Sequence, residues 1–157
     1  MHSLGNYPRF RFNSAMWQKK YSVYINSQVS GSGSKFLAGD GKCTVVGANE
    51  IIDNTYGIGP MSGTCTLAFT SDSKDECENF VSWLNTKFTR FFVAINISKI
   101  TGIINNDSFR FVPAPPLNPD TNTYDWSHPY TDEFLYDYYK VSQEHQSIIN
   151  SVIRERK

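Results

Sequence analysis

The sequence predicts an α+β fold, with a small mixed or antiparallel sheet packed on one long amphipathic helix and two short C-terminal helices. Three observations lead there. Short runs rich in β-formers fill the first half, separated by Gly- and Ser-bearing loops. An apolar i, i+3, i+4, i+7 pattern then runs from Cys77 to Ile95. Strands precede helices, with no βαβ rhythm.

Tyr21–Ile25 alternates as a strand, Cys43–Val46 is a second such run, and Thr64–Thr70 a third. Ser30–Ser34, Gly39–Gly41 and Gly57–Pro60 carry loop chemistry. Ser73 with Glu76 three residues later forms a capping box, so a helix should start there and run to about Asn96. Cys77, Phe80, Val81, Leu84, Phe88, Phe91, Phe92 and Ile95 fall on its inward face, with Leu84 and Phe88 at the centre. Trp83, Lys87 and Arg90 line up on another face. Phe109–Val112 alternates as a strand ended by Pro113–Pro116, and residues 117–130 read as an irregular loop. Thr131 and Ser142 look like N-caps of Asp132–Tyr139 and Gln143–Arg154. These two helices would pack through Phe134, Leu135, Tyr138, Ile148, Ile149, Val152 and Ile153.

A chain of 157 residues suits one domain, here 17–157, preceded by a basic N-terminal arm or linker over 1–16. The 15% aromatic share argues against disorder, since rings need a core to pack in. Net charge is zero, yet its sign alternates along the chain. Arg9, Arg11, Lys19, Lys20, Lys35 and Lys42 face only Asp40 in the first stretch. An acidic stretch follows, and then a second basic one with Lys87, Arg90, Lys99 and Arg110. Such a chain does not coat nucleic acid by bulk charge, but a local basic face can still meet a polyanion. Cys43, Cys65 and Cys77 are odd in number and share no short spacing, which fits a reducing compartment. No metal site is expected, because His2, His128 and His145 stand apart from them. No apolar run approaches the roughly 18 residues of a membrane span and no signal peptide pattern opens the chain. A cytoplasmic location without a membrane partner is the expectation.

Catalytic patterns fail on context. Phe36-Leu-Ala-Gly-Asp-Gly41 is followed by a strand, whereas a cofactor loop must open onto a helix N-terminus. Pro115-Pro116 and Asn118-Pro119 break the order of the Asn-Pro-Pro-Tyr signature of adenine methyltransferases. No Asp followed by Glu-x-Lys marks a nuclease metal site. The acidic cluster from Asp72 to Glu78 reads as charge at a helix N-terminus.

Leu84, Thr86, Lys87, Phe88, Arg90 and Phe91 match a Leu-x-Thr-Lys-Phe-x-Arg-Phe helix. With it the chain resembles the C-terminal target-recognition region of type II restriction–modification proteins that carry an adenine-specific DNA methyltransferase domain. Four further pieces agree in order. Trp17–Ile25 is similar to that family's Trp-Lys-Val strand, Pro60–Thr66 to its Pro-Gly-Ser/Thr-x-Cys-Thr turn, and Phe109–Pro113 to its Phe-x-Phe-Val-Pro strand. Asp125-Trp126, Thr131-Asp-Glu-x-Leu-Tyr136, Tyr139 and Ser142-x-Glu144 resemble its closing helices. The likeness spans about residues 17–153 and its specificity lies in collinearity. Leu67-Ala68-Phe69 departs from the family's Glu/Asp-Thr-Tyr, so no role of that acidic residue carries over. The stretch between Gln28 and Tyr56 aligns with nothing in the family.

The resemblance implies a prokaryotic or phage DNA-binding module that chooses the adenine to be methylated and has no catalytic site or cofactor of its own. S-adenosylmethionine would bind an upstream methyltransferase domain or subunit, and double-stranded DNA would be the shared ligand. Lys87 and Arg90 are then candidate phosphate contacts, or only a solvated face. Arg9, Arg11, Lys19 and Lys20 are a basic arm or a solubilising linker. Asn26, Gln28, Asn49 and Asn54 are the amides placed to read adenine edges, or turn residues. Two other classes stay open: part of a restriction endonuclease, and a docking domain for a methyltransferase subunit built on Trp83, Trp126 and Tyr136–Tyr139.

Overall fold

The computed structural model describes residues 21–26, 43–46, 65–96 and 109–153. Strands β1 (Tyr21–Asn26), β2 (Cys43–Val46) and β3 (Cys65–Ser71) form an antiparallel sheet in the order β2-β1-β3. Val23, at the centre of β1, pairs with Val45 on one side and Phe69 on the other, and the register to β3 shifts between Val23 and Tyr24. Four helices follow: α1 (Lys74–Asn85), α2 (Lys87–Ile95), α3 (Asp132–Tyr138) and α4 (Gln143–Val152). The fold is α+β, with α1 laid against all three strands and α2 against α3 and α4. None of the described helices is long and apolar enough to cross a membrane.

All three expected N-caps are present. The side chains of Ser73, Thr131 and Ser142 accept the N–H of Glu76, Phe134 and His145 respectively. At Ser73 the reciprocal half of the capping box runs through a relay. The Ser73 N–H donates to Ser71 Oγ at 3.0 Å, and that hydroxyl donates to Glu76 Oε2. Cys77, one turn on, is fully buried, and burial pushes its thiol up to about 12. It packs as a small protonated apolar side chain.

The expected single helix is instead two. Thr86 leaves the helical region at φ −60°, ψ 145°, closing α1 and opening α2. Its hydroxyl donates to the Trp83 carbonyl at 2.8 Å and accepts the Thr89 N–H at 3.2 Å. The exposed N–H groups that this break creates are met from far along the chain. One carboxylate, Asp132, accepts from Lys87 at 3.1 Å and from Phe88 at 2.8 Å. An extended residue inside a helical pattern shifts the phase of every residue after it. Arg90, expected outside, is therefore buried, and Ile95, expected inside, is 59% exposed.

One further expectation is corrected between 109 and 130. Phe109–Val112 is a tight turn rather than a strand, closed by the Val112 N–H on the Phe109 carbonyl at 3.1 Å. Burial there falls at i and i+3, with Phe109 and Val112 inside and Phe111 outside. The segment 117–130, though irregular, is not peripheral. Leu117 and Tyr124 form an antiparallel bridge around a turn in which the Asn118 side chain accepts the Asp120 N–H and Asn122 takes φ 53°. Trp126 and Tyr130 then enter the core.

In the closing helices Leu135, Ile149 and Ile153 are buried as expected, whereas Phe134, Tyr138 and Ile148 remain exposed. α3 ends in a Schellman arrangement, with Lys140 at φ 52° and the Val141 N–H on the Tyr136 carbonyl at 2.9 Å.

Candidate nucleic-acid interface

Trp83, Lys87 and Arg90 do not share an exposed basic face. Trp83 is 1% exposed, because α1 is covered on one side by the sheet and on another by the 117–130 segment. Arg90 is 8% exposed and belongs to the interior of α2. Lys87 alone keeps partial access to solvent, and its Nζ donates to Asn150 Oδ1 on α4 at 3.2 Å. Asn26 is the last residue of β1, its backbone registered against Cys65. Arg9, Arg11, Lys19, Lys20, Gln28, Asn49 and Asn54 lie outside the described residues.

Motifs that are far apart in sequence meet in space. Besides the Asp132 bonds to α2, the Phe88 ring stacks on Tyr139 (5.4 Å, 15°) and meets Tyr136 edge-on (6.1 Å, 78°). Trp126 packs edge-on against Phe80 at 5.0 Å, Phe69 at 5.6 Å and Trp83 at 5.8 Å. Polar side chains of α1 hold the Trp126 segment in place. Asn79 donates to the Trp126 carbonyl, and Ser82 Oγ accepts the Tyr130 N–H, both at 2.8 Å. Tyr139 donates its hydroxyl to the Ala114 carbonyl and Tyr130 to the Asp125 carbonyl; burial raises both phenols, keeping them protonated donors. The Asp125 carboxyl, hydrogen-bonded by the Ser127 side chain and backbone, sits below its ordinary value.

This packing removes most of the aromatic surface that a docking domain would use, because Trp83, Trp126 and Tyr136 are buried. Tyr138 remains half exposed, stacked on Phe134. A cavity of about 400 Å³ opens between α2 and α4, with Phe91, Phe92, Ile148 and Ile149 among its walls. Two features were not legible as functional. Asp132 reads in sequence as first-turn charge, and nothing local names its partner on α2. Arg110 and Phe111 read as part of a strand, yet both are exposed, with the guanidinium 5.4 Å from the ring centroid. Pro113 just beyond them hints at a strand end, but no spacing rule marks an outward turn. Comparison with family models, curated proteins and solved structures returns no match to this chain.

Proposed function

We propose that this chain is the DNA target-recognition module of a restriction–modification system with adenine-specific methylation. The observation that carries the reading is the contact between the Thr86-Lys87-Phe88 and Thr131-Asp132-Glu133 motifs through one carboxylate. Two segments that the resemblance groups by order alone are in contact through that carboxylate. On this reading Leu84, Thr86, Phe88 and Arg90 are scaffold, and Arg90 leaves the set of phosphate contacts because it is buried. Lys87 remains as a phosphate contact, and Asn26, Gln28, Asn49 and Asn54 remain candidates for base reading. Phosphate contacts fix register and base edges choose the sequence. Catalysis and S-adenosylmethionine belong to a methyltransferase domain or subunit that takes up the adenine once it is turned out of the duplex.

Selection from random duplexes tests this directly. The full chain should enrich one adenine-containing site and bind it with a steep salt dependence. Failure to enrich any site, with salt-insensitive binding to a methyltransferase subunit instead, would replace recognition by docking.

A further inference from the structure

The described Lys and Arg side chains are Lys74, Lys87, Arg90, Arg110 and Lys140. Lys74 is paired with Glu78 at 3.2 Å and Lys140 with Asp137 at 2.9 Å, Lys87 bonds Asn150, and Arg90 is buried. Arg110 differs. It is exposed, no carboxylate of the described residues lies within ion-pair range, and its guanidinium leans over the ring of its neighbour. That neighbour, Phe111, is 61% exposed, which leaves a large apolar ring in water.

The support beneath this pair is firm. Phe109 and Val112 flank it in the core, and the turn is closed by their backbone bond. Downstream, Tyr139 holds the Ala114 carbonyl and the Asp125 N–H holds the Pro116 carbonyl at 2.9 Å. An exposed ring and cation on a fixed turn have already met much of the ordering cost of binding. Their chemistry matches one nucleotide: a phosphate for the planar cation and a π-face for the ring.

We infer that Arg110 and Phe111 form a contact point for duplex DNA, the guanidinium on a phosphate and the ring wedged at a base step. The inference rests on the recognition reading above and names a part of its surface. The test uses the full chain on its selected duplex, with 2-aminopurine at the step beside the target adenine. Phe111→Ala should weaken binding about tenfold and reduce the 2-aminopurine signal, and Phe111→Tyr should restore both. Arg110→Ala should flatten the salt slope by about one phosphate. Both side chains are exposed, so melting temperatures should not move. Wild-type affinity and slope in Phe111→Ala and Arg110→Ala would overturn this contact while leaving the recognition reading intact. Absence of duplex binding by the unmodified chain would overturn both. If the variants lose a methyltransferase subunit but keep DNA, the pair is a protein contact and the inference falls.

Discussion

Beyond their first turns, α1 and α2 pair their backbone within each helix, and buried side chains recur at helical spacing, Cys77, Phe80 and Leu84 in α1 and Thr89 and Val93 in α2. Between Phe109 and Tyr130 there is no such ladder, yet Phe109, Val112, Ala114, Trp126 and Tyr130 are as deeply buried. There the backbone groups turn to side chains on the helices: Asn79 for the Trp126 carbonyl, Ser82 for the Tyr130 N–H, Tyr139 for the Ala114 carbonyl. Buried backbone must be paired, and an irregular segment can enter a core only where another element supplies the partners. Polar residues on the helices thus do for the irregular segment what a ladder does for a strand.

The largest expected effect tests whether the irregular segment is core or cover. Trp126→Ala removes a ring packed edge-on against five others and should cost about 3–5 kcal/mol in urea unfolding. A loss below about 1 kcal/mol, ordinary for surface substitutions, would return 117–130 to the periphery.

Next comes the joint between the regions. Asp132→Ala leaves two helix N–H groups without their acceptor and should cost about 2–3 kcal/mol, since bonds to a charged group are the stronger kind. Asp132→Asn keeps one acceptor oxygen and should lose less. Losses below about 0.5 kcal/mol in both variants would show that the carboxylate is not what holds α2.

The same joint marks where sequence reading stops. Ser73, Thr131 and Ser142 were legible as caps because each precedes a fresh apolar pattern. Thr86 was not, because the apolar run continues through it and the i, i+4 arithmetic assumes an unbroken 100° step. The cue was there in weak form, with Asn85 and Thr86 both poor helix formers and Thr89 three residues on. What made it decisive, Asp132, lies outside any local window. The three strands of the sheet were legible within a residue or so as β-rich runs bounded by turn residues, whereas Phe109–Val112 carries the same local pattern and is a turn. Of the candidate site, Lys87 keeps its place at the surface, and Arg90 was lost to the phase shift.

Lys87→Pro sharpens that point. In a continuous helix from 74 to 95, proline at 87 would cost about 3 kcal/mol or more by removing a bond and clashing with the preceding turn. Lys87 is instead the first residue of α2, where proline's backbone angle is accepted, and Thr86 already has the extended conformation proline favours before it. The N–H donated to Asp132 is lost together with the exposed ammonium bond to Asn150, so the expected cost is about 1–2 kcal/mol. A cost above 3 kcal/mol would mean that α1 and α2 are one helix in solution.

The smallest stability effect carries the functional contrast. Lys87→Ala keeps the backbone N–H on Asp132 and gives up an exposed side-chain bond to Asn150, so stability should change by less than about 0.5 kcal/mol. DNA binding should respond where folding does not. The salt slope should fall by about one phosphate, equally on the selected site and on random duplex, because a phosphate repeats at every step. Asp132→Asn should behave in the opposite way, lowering stability and leaving the slope alone. Residue 87 would then serve both regions with separate groups: its N–H for the joint and its ammonium for the ligand. If Lys87→Ala destabilises the chain as much as Asp132→Ala and leaves the slope unchanged, the ammonium is structural and Lys87 has no place at the DNA.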